Sequence, residues 1–320
     1  MYMYMSSLCA AAICRRKGDF AVAIYPNPLP RCDNPLFLDA MLEYTFCHIP
    51  GFGPGTERSL WRSGLSGWAD LAGRADLPLS PKKQATLNSY IRESADQLRA
   101  GNADYFYRLL PSAEQWRLFA AFRHQVAYFD IETTGLGDPE DYITTIVLYD
   151  GRDLRAYVQG HNLDDFARDI AAYRLLVTYN GKTFDAPFVR RCLGAPLDQP
   201  HIDLRYVLGS LGYRGGLKGC EQQLGIPRQG LEDIDGFFAV LLWHDYQRGN
   251  PRALDTLLAY NALDVINLEA LMVIAYNAKL AGTPLGPAHH LPAPTRLPLP
   301  FDADQPTIRR IKSQHGWRPF

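Results

Sequence analysis

Val126-Ala-Tyr-Phe-Asp-Ile-Glu-Thr-Thr-Gly-Leu136 is the stretch on which the fold turns. Its first six residues are a short apolar run rich in strand formers, which predicts a buried β-strand. Side chains alternate across a strand, so Asp130 and Glu132 share one side while Ile131 faces the other. Thr133, Thr134 and Gly135 end the strand directly after the two acids. Carboxylates held that close raise each other's pKa. A divalent cation removes the penalty, and carboxylate oxygens suit magnesium or manganese. The ordinary alternative is that one of the two acids simply faces solvent at a strand end.

Working downstream, Tyr142–Tyr149 reads as a second strand closed by the turn signal Asp150-Gly151, and Leu154–Val158 as a third. A helix over Asn162–Ala172, a strand over Leu175–Tyr179, a helix over Pro187–Leu193 and a short strand over Ile202–Leu204 follow. Helices are then expected near Leu204–Leu211, Leu217–Leu224, Ile234–Arg248 and Pro251–Lys279. Three strands in a meander, continuing into alternating elements, fit an α/β fold: a ribonuclease H-like mixed sheet flanked by helices rather than a strict Rossmann alternation. Upstream, residues 37–120 carry apolar positions at helical spacing, and Ser80-Pro81 starts a helix through Leu87, Tyr90 and Ile91. Residues 1–36 are expected to be a poorly ordered lead, 37–120 a small all-α segment, 121–282 the sheet domain and 283–320 a Pro-rich tail.

Two further carboxylate motifs lie in the sheet domain. Asn180-Gly-Lys-Thr-Phe-Asp185 follows a predicted strand, and Asp185 stands just before a helix, where it would also make a good N-cap. Tyr260-Asn-Ala-Leu-Asp264 lies within a long helix, so Tyr260 and Asp264 share a face; the ordinary alternative there is a surface hydrogen bond. Taken in order, Phe-Asp-Ile-Glu-Thr-Thr-Gly-Leu (129–136), Tyr-Asn-Gly-Lys-Thr-Phe-Asp (179–185) and Tyr-Asn-Ala-Leu-Asp (260–264) resemble the DEDD (DnaQ-like) superfamily of 3′–5′ exonucleases. Tyr260 resembles the tyrosine subtype, because the histidine subtype would want His where Ala259 stands. Within that superfamily the likeness is to bacterial ribonuclease H-like proteins of the YprB type, over about residues 120–280.

The resemblance implies a metal-dependent 3′–5′ exonuclease that hydrolyses phosphodiester bonds at single-stranded nucleic-acid ends, DNA or RNA, with two divalent cations, Mg2+ or Mn2+. Asp130 would bridge both ions, Glu132 and Asp264 would help hold one, and Asp185 would act on the second. Tyr260 would orient the attacking water, since a tyrosine of ordinary pKa ~10 is a poor base at neutral pH. Thr133, Thr134 and Leu136 would line the pocket for the terminal nucleotide, with Asn180 and Lys182 as further nucleic-acid contacts. Lys182, Arg190, Arg191, Arg205, Arg214 and Lys218 could touch phosphates or form a solvated basic face. Asp203 reads as a supporting carboxylate and His201 as a satisfied core histidine. The competing function is a nucleic-acid-binding module on the same fold without turnover.

His48-Ile-Pro-Gly-Phe-Gly-Pro-Gly-Thr56 resembles a helix-hairpin-helix motif, in which the amides of Gly53, Gly55 and Thr56 would approach a phosphate. A plain turn between packed helices explains it equally well. It has no Gly-Lys-[Ser/Thr], so no nucleotide cofactor is expected. The 33 Lys+Arg against 34 Asp+Glu give no global basic field, which leaves room for a local basic rim. The six cysteines form no C-x-x-C pair, so a reducing cytoplasm is expected. No uninterrupted apolar run reaches the roughly 18 residues of a membrane span. The early charges Arg15, Arg16 and Lys17 follow rather than precede the apolar start, unlike a signal peptide.

Overall fold

The computed structural model describes residues 25–26, 41–74 and 76–316. The sheet runs through β1 (Tyr25–Pro26), β2 (Val126–Thr133), β3 (Ile143–Tyr149), β4 (Asp153–Val158), β5 (Leu175–Thr178) and β6 (His201–Asp203), in the spatial order β1-β4-β3-β2-β5-β6. The pairs β2–β3 and β3–β4 are antiparallel, whereas β2–β5 and β5–β6 are parallel. This is the predicted mixed sheet, with an added two-residue edge. Tyr25 and Pro26 pair with Leu154 and Asp153, inside the lead expected to be poorly ordered; the rest of residues 1–36 lies outside the described residues.

The alternation in β2 sorts the two cores. Val126 and Tyr128 join a large core shared with the helical elements, whereas Ala127, Phe129 and Ile131 join a smaller one with Phe166, Ile170, Ala186, Phe188 and Val189. Those smaller-core partners come from α5 (Asp165–Ile170) and α6 (Asp185–Leu193). The large-core face is covered by α9 (Gly236–Gln247) and α10 (Pro251–Leu280), with Leu204 and Leu208 of α7 (Leu204–Ser210) and Cys220 of α8 (Gly216–Gln223) joining the same core. Helix α10 starts where Asn250 accepts from the Arg252 N–H, with Pro251 in the first turn. By length and composition it could cross a membrane, but 89% of its most apolar stretch is buried inside the protein. It is apolar on nearly all sides because it is enclosed on nearly all sides.

The amino-terminal part is helical, with α1 (Pro54–Arg62), α2 (Pro81–Arg99), α3 (Ala103–Leu109) and α4 (Leu118–Phe122). It shares the large core with the sheet: Trp116 and Phe119 stack edge-on against Tyr276 of α10, with ring centroids at 5.5 and 6.0 Å. Its centre is a buried ion pair. Glu57 accepts from the Phe46 and Cys47 amides at 2.6 and 3.0 Å and meets Arg117 at 2.9 Å. Among the described residues, a single 3-10 turn at Met41–Tyr44 precedes the Gly-rich loop, rather than the first arm of a helical hairpin. Gly53 caps α1 with no side-chain bond.

The Pro-rich stretch after Gly282 is not a loose tail. Leu285, Leu291 and Leu297 enter the large core, as do Ile308 and Ile311 of α11 (Gln305–Gln314). Leu291 exchanges two 2.8 Å bonds with the Asn277 side chain, and the Asp304 amide donates to Thr256 at 3.0 Å. The prolines prevent a periodic pattern without preventing burial, because an extended chain can still bury leucines at irregular spacing.

Candidate active site

Strands β2 and β5 run parallel, so the acids at the end of β2 and the loop after β5 open at the same edge of the sheet, the edge where α/β sheets hold ligands. Asp130 and Glu132 take the large-core face, on which α10 presents Tyr260 and Asp264. One oxygen from each of Asp130, Glu132 and Asp264 lies within 4.8 Å of the others. Pairing with β3 shifts register between Glu132 and Thr133, where Thr144 is skipped, and resumes at Thr133–Ile143, an irregularity that bends the sheet beside the second acid. Asp185 completes the group from the first turn of α6. Phe184 holds the cap position, and Asp185 turns to β2 instead, its Oδ1 accepting from the Ile131 N–H at 3.3 Å.

All these groups line one cleft of roughly 1160 Å³. Thr133, Thr134, Leu136 and Asn180 line it too, together with Arg205, Tyr206, Arg214 and Phe237. Leu136, Tyr206 and Phe237 are the large apolar side chains exposed among the described residues, at 92%, 56% and 62%, and all three stand on this cleft. The hydroxyls of Thr133 and Thr134 serve the turn itself, donating to the Gly135 carbonyl at 2.6 Å and to Asp141 at 3.3 Å. A Cβ on Gly135 would collide with the Asp141 carboxylate, and one on Gly181 with the Thr178 hydroxyl.

Four expected contacts lie elsewhere. The Lys182 ammonium donates to Gln115 at 3.2 Å and sits 5.3 Å from the Tyr107 ring, so its four-carbon stem carries the charge to the helical segment. Gly53, Gly55 and Thr56 stand at the start of α1 and do not line the cleft. His201 is the satisfied core histidine expected, bonded to Thr178 at 2.8 Å.

Two contributors, Asn261 and Arg228, carry no usable sequence signal, whereas Asp203 takes the supporting place read for it in the sequence. Asn261 donates from Nδ2 to Asp130 Oδ2 at 2.8 Å, and its Oδ1 accepts from Thr145 at 3.1 Å. It stands inside the quoted Tyr-Asn-Ala-Leu-Asp motif, where its place beside Tyr260 was the only hint. Asp203 accepts from the amides of Asn180, Lys182 and Arg205 at 2.7, 3.2 and 3.0 Å. It therefore braces the turn that leads to Asp185, a turn in which Asn180 adopts φ 65°, a left-handed conformation that asparagine tolerates. Arg228, buried at 5%, reaches Asp264 from a loop 36 residues away.

Burial, followed by the charges of Asp185, Glu132 and Asp264, pushes the Asp130 carboxyl well above its ordinary range, while Asn261 opposes this. Glu132 is pushed up by burial and by Asp264 and Asp185, against Lys218 and Arg228. Burial raises Asp185 to about 7, opposed by backbone N–H groups and supported by Asp203. Burial and the charge of Asp264 also hold the Tyr260 phenol well above 10. Three crowded carboxylates with too little positive charge nearby form an oxygen donor set suited to a hard divalent cation.

Residues 126–280 thus form a ribonuclease H-like domain, and residues 127–276 match the family model RNase_H_2 of the RNase_H superfamily. The chain is also similar to the uncharacterized protein YprB of Bacillus subtilis, with 31% identity over 175 residues, 47% of this chain and 42% of that protein. It therefore spans less than half the length of that relative. Among solved structures, the family B DNA polymerase of Pyrobaculum calidifontis aligns over 52% of this chain and 27% of its own, with 19% identity and a TM-score of 0.37.

Proposed function

We propose that the cleft is a metal-dependent nuclease site that removes nucleotides from single-stranded 3′ ends. The convergence of Asp130, Glu132 and Asp264 within 4.8 Å carries this reading. Asp130, Glu132 and Asp264 would hold one divalent cation, and Asp185 with Asp130 a second, Mg2+ or Mn2+. Bound there, such ions supply a hydroxide nucleophile and charge stabilisation at the leaving 3′-oxygen.

The chain's own groups do the rest. Asn261 fixes the rotation of the Asp130 carboxylate through Oδ2. The Tyr260 phenol, with its pKa raised, keeps its proton at neutral pH and orients the attacking water by hydrogen bonding rather than by taking a proton. Arg205 and Arg214 on the cleft wall offer phosphate contacts. Tyr206 and Phe237 expose aromatic faces on which unstacked bases can lie, a feature of single-strand binding, and duplex ends would have to melt to reach them.

The test is incubation of 5′-labelled single-stranded DNA and RNA with the full chain and Mg2+ or Mn2+, beside Asp130→Asn. Stepwise shortening from the 3′ end, absent in the variant, is expected. Equal cleavage by both proteins would remove the proposal. Binding without cleavage in either metal would instead favour a nucleic-acid-binding module.

A further inference from the structure

Arg228 is the unexpected member of the site. Its Nη2 donates to Asp264 Oδ1 and its Nη1 to Glu221 Oε2. Glu221 is tied back to α10 in turn, because Asn267 donates from Nδ2 to Glu221 Oε1 at 2.7 Å. The same guanidinium lies 5.4 Å from the Tyr260 ring centre. Tyr260 and Asp264 are one helical turn apart on α10, so a single planar group touches both members of the Tyr-x-x-x-Asp motif. Arg228, Glu221, Asp264 and Asn267 are all buried.

Stability alone does not explain such an arrangement. A buried ion pair contributes little over well-packed apolar side chains, because desolvation offsets the attraction. What a guanidinium adds is direction, since its fork fixes two acceptors in one plane. Here one acceptor is anchored to α10 by Asn267 and the other is a candidate metal ligand.

Building on the metal-site reading above, we infer that Arg228 is a positioning residue: by occupying Oδ1 of Asp264 while braced on Glu221, it leaves Oδ2 as the single oxygen through which Asp264 meets a divalent cation. Carboxylate ligands are commonly oriented by such hydrogen-bond partners, whose loss weakens metal affinity about 10- to 100-fold.

The experiment is Mn2+ binding to the full chain, followed by electron paramagnetic resonance, in wild type, Asp264→Asn, Arg228→Lys and the double variant Arg228→Met/Glu221→Gln. The double variant removes one positive and one negative charge, so its net charge is unchanged and the lost direction is isolated. It is expected to bind Mn2+ about 10- to 100-fold more weakly than wild type. Arg228→Lys should be weakened as well, because one ammonium keeps the charge but not the two-armed bridge. Binding by either Arg228 variant within about twofold of wild type, with Asp264→Asn defective, would overturn the role of Arg228 and leave the metal site standing. Equal binding by wild type and Asp264→Asn would remove the metal site and this role together. A structure of the wild-type chain with Mn2+ decides the matter even if a variant fails to fold. The ion is expected on Asp264 Oδ2 with Arg228 still on Oδ1, and an ion on Oδ1 with Arg228 displaced would overturn the inference.

Discussion

Asp185→Asn should make the metal-free protein more stable, and increasingly so as the pH rises. Asp185 is 3% exposed, and burial lifts its carboxyl from 3.8 to about 7. The unfolded chain ionises this group at the lower value, so between the two the folded protein holds a proton that the unfolded chain has released. Stability contributed by a carboxyl raised in this way is present at low pH and is lost as pH climbs toward 7. Three pH units at about 1.4 kcal/mol each amount to about 4 kcal/mol. Asparagine carries no charge and keeps an oxygen for the Ile131 N–H. The variant should therefore match wild type near pH 4 and exceed it by about 2–4 kcal/mol at pH 8 in EDTA, the lower figure allowing for relaxation around the charge.

The comparison has to be a difference between the two proteins. Burial drops His48 and His201 to about 3, and their contribution runs the other way, being lost as pH falls below the unfolded value of 6.5. Both proteins carry these histidines, so the difference cancels them. Urea denaturation from pH 4 to 8 in EDTA, followed by tryptophan fluorescence, measures it. A variant no more stable than wild type at pH 8, or a gap that does not change with pH, would refute the reasoning. With Mn2+ added, wild type should recover stability and the variant should recover less.

Asp203→Ala leaves the amides of Asn180, Lys182 and Arg205 without their acceptor; a loss of about 3 kcal/mol is expected in urea melts, with a fall in cleavage rate per folded molecule as Asp185 loses its brace. Arg117→Met strands the buried Glu57 carboxylate and should cost about 3–5 kcal/mol, while the cleavage rate of the remaining folded protein stays unchanged. Tyr206→Ala and Phe237→Ala should each weaken single-stranded oligonucleotide binding by about 1–3 kcal/mol, read by fluorescence anisotropy on the folded protein.

Much of the sheet could be read locally. The alternation Val126-Ala-Tyr-Phe-Asp-Ile-Glu assigns each residue of β2 to a face, and those assignments place Asp130 and Glu132 toward α10. Asn250-Pro251 announces the start of α10 for the same local reason. Where contact depended on the path of the chain through space, the sequence was silent. Arg228 sits in a short loop with nothing to distinguish it from a solvated arginine, and it matters only because that loop passes under Asp264. The sequence offers Asp185 as a helix cap because its position relative to α6 is local information, whereas its bond to Ile131 is not. The sequence neighbours of Lys182 point it to the cleft, but a long flexible side chain obeys the nearest acceptor, here Gln115. The prolines after Gly282 masked a packed segment because burial without periodicity leaves no pattern to find.

The position of α10 along the chain sets an order of events. Synthesis produces Asp130, Glu132 and Asp185 well before Asp264 emerges, and the large-core face of the sheet that carries them is incompletely covered until residues 251–280 dock. During that interval the nascent chain has crowded carboxylates without Asp264 and an apolar face without its α10 cover. Arrival of α10 closes both deficits at once, since the helix that fills the core also delivers Asp264 and Asn261. If Asp130, Glu132 and Asp264 hold a divalent cation as proposed, the ion would be captured by molecules in which α10 has docked and not by partly folded ones.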